Sequence, residues 1–78
     1  MIFQTANLYE ISILIAIGKK FISIDRENAN KVMFIFDDLE FCQKTLSSFY
    51  NKEKIISPYE FTLALKEAKQ IIYNYAKQ

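Results

Sequence analysis

The stretch Phe21–Phe36, FISIDRENANKVMFIF, governs how the rest of the chain is arranged. Its two apolar runs, Phe21–Ile24 and Val32–Phe36, consist mostly of β-branched and aromatic residues, which suit a pleated, half-buried surface. Between them lies the polar break Asp25–Lys31, where Asn28 and Asn30 tolerate left-handed backbone and bond back onto their own turn. The stretch therefore predicts a β-hairpin. Side chains alternate faces along a strand, so a one-residue slip moves each of them to the other side. Pairing Ile24 with Val32 and Ile22 with Phe34 gathers Ile22, Ile24, Val32, Phe34 and Phe36 on one face. The other face carries Phe21, Ser23, Asp25, Met33 and Ile35. Its apolar members also need a cover.

Working outward toward the N-terminus, Ala6 to Ile17 predicts a first helix. Thr5 is its expected N-cap, and Gly18, the single glycine, is its stop. Lys19 and Lys20 then favour the negative end of the helix dipole. Ile11, Ile13, Ile15 and Ile17 also alternate like a strand, but length and stop signal favour helix. Leu8, Ile11 and Ile15 form one stripe. Tyr9, Ile13, Leu14 and Ile17 occupy the rest of the circumference, so the helix reads as apolar nearly all round. Ile2-Phe3 offers a third strand to the hairpin.

Toward the C-terminus, Asp37 with Glu40 has the spacing of a capping box for a second helix, Leu39 to Tyr50. Its inner stripe is Leu39, Cys42, Leu46 and Phe49. Ser57-Pro58-Tyr59-Glu60 opens a third helix, with a hydroxyl cap, Pro at the first helical position and Glu three residues after the cap. That helix runs to about Tyr75 on the stripe Phe61, Ala64, Leu65, Ala68, Ile71, Ile72 and Tyr75. Ala76 to Gln78 are expected to fray. The fold expected is a single α+β domain over 1–78: an antiparallel hairpin, three-stranded if Ile2-Phe3 joins, packed by three helices in the order (β)-α-β-β-α-α.

A chain of 78 residues buries only roughly 60% of its unfolded surface. One cysteine excludes an internal disulfide, so stability rests on an efficient core or a partner subunit. Hydrophobic residues make up 51% of the chain, which excludes a disordered protein. The net charge of +1 creates no single-sign field that calls for nucleic acid or an anionic membrane. The apolar run Ile11–Ile17 is too short to span a bilayer, and Glu10 precedes it where a signal peptide wants basic residues. A cytoplasmic protein with no membrane segment is expected.

The chain resembles a family of short uncharacterised domains of phages and low-GC bacteria. The landmarks are Thr5…Leu8-Tyr9, the helix stop at Gly18, Val32-x-Phe34-x-Phe36-Asp37, Phe49-Tyr50-Asn51 and Pro58…Phe61…Ala64-Leu65-Lys66. They cover nearly the whole chain and are core and cap positions. The resemblance implies a mobile-element setting and carries over no catalytic residue.

The chemistry is sparse. Without histidine the chain lacks the usual neutral-pH base and the commonest metal ligand. Cys42 falls on an inner stripe, where a thiol is a small inert hydrophobe. Asp37, Asp38 and Glu40 read as helix caps before they read as a cation site. No catalytic residue, cofactor or metal is expected. The expected function is non-catalytic protein binding by an accessory factor of a phage or mobile element, in the manner of an anti-defence, anti-CRISPR-like inhibitor. Candidate partner-binding residues are Tyr9, Ile13, Leu14, Ile17, Tyr59 and Tyr73, the last two lying off the inner stripe of their helix. The first-helix side chains Tyr9, Ile13, Leu14 and Ile17, together with Met33 and Ile35 of the second hairpin face, favour a homodimer if left uncovered. The alternative is a small nucleic-acid-binding or transcription-regulating module using Lys19, Lys20, Arg26 and Lys31, with the lysines gathered near one end of the hairpin.

Overall fold

The spine of the fold is the central strand of a three-stranded antiparallel sheet. A computed structural model describes residues 1–28 and 31–76. The elements are β1 (Phe3–Thr5), α1 (Leu8–Ala16), β2 (Phe21–Asn28), β3 (Lys31–Phe36), α2 (Leu39–Tyr50) and α3 (Pro58–Ala76). Strand order is β1-β3-β2, so the N-terminal segment does add a strand, and the fold is α+β as expected. Ala29 and Asn30 of the Asn-rich break lie outside the described residues, as do Lys77 and Gln78 of the expected frayed end.

Val32, Phe34 and Phe36 of β3 are buried, while Met33 and Ile35 are half-buried and Lys31 is exposed. The buried set packs against Ile11, Ile13 and Leu14 of α1, Cys42 and Leu46 of α2 and Ala68 of α3. All three helices therefore lie on one face of the sheet. β1 contributes Phe3 opposite Phe36 and Thr5 opposite Phe34.

The hairpin register differs from the sequence expectation. Ile24 pairs with Phe34 and Arg26 with Val32, a slip of two residues from the expected pairs. A two-residue slip conserves the side-chain face, so Ile24, Val32 and Phe34 still share the core side. Ile22 does not. A bulge between Phe21 and Ser23 inserts one extra residue on β2 and reverses the alternation at that point. Phe21 turns inward and meets Phe34 edge-on at 5.1 Å and Phe36 at 6.4 Å, whereas Ile22 is 57% exposed. Aromatic pairs of this kind contribute about 0.5–1.5 kcal/mol beyond their buried area. An aromatic side chain thus takes the place of an aliphatic one against the core.

Two helix starts are shifted from expectation. The N-cap of α1 is Asn7, whose Oδ1 accepts from the amides of Tyr9 and Glu10; Thr5 is instead the last residue of β1. The cap of α2 is Asp38 rather than Asp37, with its carboxylate accepting from the Phe41 amide at 3.1 Å. The third residue of α2 is then Phe41, so no capping box forms. α3 starts as expected, with the Ser57 hydroxyl accepting from the Glu60 amide.

The ends of α1 and α2 share one geometry. After α1, Lys19 N–H donates to Leu14 C=O and Gly18 N–H to Ile15 C=O. After α2, Glu53 N–H donates to Ser48 C=O and Lys52 N–H to Phe49 C=O. Both are Schellman closures, which need a left-handed residue just past the cap. Gly18 supplies it at φ 92° and Lys52 at φ 62°. A Cβ on Gly18 would meet nothing within 4 Å, so only the backbone conformation opposes a side chain there. Gly18→Ala should therefore lower stability by about 1 kcal/mol, and Lys52→Gly should raise it by a similar amount. Urea melts check both signs, and a neutral result at both positions would contradict the left-handed assignment.

Candidate functional site

The first helix decides which of the expected contact residues are available. Leu14 is fully buried and Ile13 nearly so, both inside the intrachain core. Neither is the surface contact expected from the sequence; both are core positions. The cause is coverage: the β3 face lies beneath α1, α2 flanks it, and α3 packs alongside it. Tyr9 at 64% and Ile17 at 39% exposure remain at the surface, as do Tyr59 at 72% and Tyr73. The patch that favours a homodimer is thus reduced to Tyr9 and Ile17 on this helix.

Tyr9 stacks on Phe61, with centroids 6.4 Å apart and planes within 8°. Further along, Ile15 and Glu67 line the same cavities, so α1 and α3 run in the same direction. The furrow between them holds two adjoining cavities. One, of about 370 Å³, is lined by Ile15, Gly18, Lys19, Lys20, Phe21 and Glu67. The other, of about 270 Å³, is lined by Ile15, Ala16, Glu60, Leu63, Ala64 and Glu67. They share Ile15 and Glu67 and form one groove with an apolar floor. Leu63, 48% exposed, stands at its rim. The inner-stripe pattern of α3 passes over Leu63. The signal in sequence is an aliphatic residue on the otherwise polar side of that helix.

Polar contacts fix the ends of the helix layer. The Glu10 carboxylate accepts from the Thr5 hydroxyl at 2.7 Å and from the Tyr50 hydroxyl at 2.9 Å, joining β1, α1 and α2. Burial first, and then the Glu10 carboxylate, push the Tyr50 hydroxyl above its ordinary pKa of 10.0. Lys19 pairs with Asp37 and lies over the Phe41 ring, 5.3 Å from its centroid. Hydrogen bonding to Lys19, with its positive charge, holds the Asp37 carboxyl below its ordinary 3.8.

The other two acidic residues at the start of α2 have separate roles: Asp38 caps the helix, and Glu40 pairs with Lys44 at 3.1 Å. Among the described residues no three His, Cys, Asp or Glu side chains converge as metal ligands. Cys42 is fully buried, its thiol donates to the Asp37 carbonyl at 3.5 Å, and burial raises its pKa. A buried thiol with a raised pKa is a poor nucleophile.

The basic residues do not form the single cluster expected at one end of the hairpin. Lys19 and Lys20 precede β2 at the Phe21 end, whereas Arg26 and Lys31 lie toward the turn. Roughly 20 Å of strand separates Lys20 from Arg26. The physical reason is the antiparallel topology, which puts the start of β2 beside the end of β3 and away from Lys31.

Two outcomes follow. Leu14→Ala should cost about 2–5 kcal/mol as a core cavity, whereas Ile17→Ala should cost less than about 1 kcal/mol; thermal melts separate them. The lowered Asp37 value means its pair contributes stability above pH 3.8 that is lost as pH falls through the folded-state value below it. Asp37→Asn should accordingly flatten the acid limb of the stability–pH curve measured by denaturant titration. An unchanged acid limb would show that the pair does not couple to folding. No protein-family model matches this chain, and neither a curated protein nor a solved structure matches it.

Proposed function

We propose that this chain is a non-catalytic protein-binding factor whose contact surface is the α1–α3 groove and its rim. The observation that carries the proposal is a set of large apolar side chains left in water beside an apolar groove. Ile17 sits between Ala16 and Gly18, both groove-lining, Tyr59 precedes the lining residue Glu60, and Leu63 lies in the rim itself. Each large apolar side chain left in water forgoes roughly 1.5–3 kcal/mol of burial, which a docked partner recovers. Tyrosine at such a rim supplies contact area with few rotors to freeze. A phage or mobile-element setting, and with it the role of an anti-defence inhibitor in the cytoplasm, rests on the resemblance of the core and cap landmarks. No described helix is long and apolar enough to cross a membrane.

The partner in this proposal is a different protein. A homodimer through α1 is deprived of Ile13 and Leu14, so light scattering at micromolar concentration should give one chain's mass, 9.2 kDa. Nucleic acid is disfavoured by the separation of the basic residues. The test is affinity capture from a bacterial host lysate at low and moderate salt, with and without nuclease, comparing wild type with Leu63→Glu. A retained protein that survives nuclease and moderate salt and is lost with a folded Leu63→Glu variant supports the proposal. Retention that disappears with nuclease and falls steeply with salt overturns it in favour of nucleic acid binding.

A further inference from the structure

We infer that the α1–α3 groove receives an amphipathic helix of the partner that carries two cationic residues seven positions apart along one flank; this rests on the protein-binding function proposed above. Two helices running side by side leave a furrow into which the ridges of a third fit. Its floor contains the small residues Ala16 and Ala64, which allow close backbone approach. Along the α3 wall, Glu60 and Glu67 stand on either side of Leu63 and Ala64. Seven residues of helix place them about 10.5 Å apart.

Both carboxylates are exposed, and neither forms an ion pair with another described residue. Of the groove-lining cations, Lys19 is bound to Asp37 and Phe41, leaving Lys20, which lines the same cavity as Glu67 without forming an ion pair with a described residue. The groove thus has an acidic rail beside an apolar floor. A bound helix with Lys or Arg at positions i and i+7 meets both carboxylates while its i+3 and i+6 side chains cover the floor, as flanking charges do in helix pairs. A β-strand does not fit the spacing, because residues about 10 Å apart on it point to opposite faces.

A second copy of this chain does not fit either. Its own helices offer no cations in α1, Lys44 alone in α2, and Lys66 and Lys69 three apart in α3. The acidic rail also repels a polyanion.

The test uses two synthetic peptides with the same leucine stripe, one with Lys at both flank positions and one with Glu, binding measured by fluorescence anisotropy. Wild type should bind the Lys peptide about tenfold or more tightly than the Glu peptide. The double variant Glu60→Lys/Glu67→Lys should reverse that order, and Glu60→Gln/Glu67→Gln should abolish it; melts establish that each variant is folded. Equal affinities, or a preference untouched by charge inversion, overturn the inference. So does a two-chain mass in light scattering that the Glu60→Lys/Glu67→Lys variant abolishes, since the groove would then hold a second copy. Lysate capture lost with Leu63→Glu but intact with charge inversion overturns only the cationic helix. Capture untouched by either removes the groove as the protein-binding surface.

Discussion

The constraint on which the rest of this structure depends is a short helix that is apolar on almost every side. α1 has nine residues, and four of them in succession, Ile11 to Leu14, are buried. A helix of this length is marginal alone in water and is held by what covers it. Ile11 and Leu14, both fully buried, contribute roughly 1.5–3 kcal/mol each through loss of apolar area to water. One small sheet face covers one side only. α3 must therefore lie alongside α1, and its Ala64 and Ala68, both buried, let the helix come close. The furrow that forms the candidate binding site is a by-product of that requirement.

The same economy shapes the sheet. A three-stranded sheet has two open edges, and long flat edges pair with other chains. Here β1 is only three residues long. β2 is longer but carries two register irregularities, and the Tyr75 hydroxyl from α3 donates to its Ile24 carbonyl at 3.2 Å. Bulges twist an edge away from a straight partner strand, and the tyrosine occupies one of its acceptors. The bulge at Phe21 also improves the core, because it brings a third phenylalanine against Phe34 and Phe36. Edge defence and core packing come from one backbone feature.

Apolar burial is non-directional, so something else must fix where the elements meet. Glu10 ties β1, α1 and α2 at one end through two hydroxyls. Lys19 ties the end of α1 to Asp37, the residue after β3, and to Phe41 in α2. The backbone joins in: the Leu39 amide donates to the Met1 carbonyl at 3.0 Å, holding the N-terminus against the start of α2. Among the described residues no buried side-chain polar atom lacks a hydrogen-bond partner. Unpaired buried groups cost more than paired ones gain, so such completeness favours a single arrangement.

Local signals in the sequence determined a good deal. The number and order of elements, the Gly18 stop, the Ser57 cap and the inward faces of β3, α2 and α3 follow from periodicity, caps and turn chemistry. These act over a few residues and need no knowledge of distant parts of the chain. The Phe21 bulge and the two-residue slip are tertiary decisions, because the gain from packing Phe21 on Phe34 and Phe36 is visible only once the strands are paired. The shift of the α2 cap from Asp37 to Asp38 is similar, since Asp37 is drawn off by Lys19 from a different part of the chain. The fate of Tyr9, Ile13, Leu14 and Ile17 could not be settled by the α1 pattern, which states that they are apolar but not which neighbour covers them. The groove was the least legible feature. Glu60, Leu63 and Glu67 share one side of α3 by helical spacing, and only the placement of α1 beside it turns that side into the wall of a site.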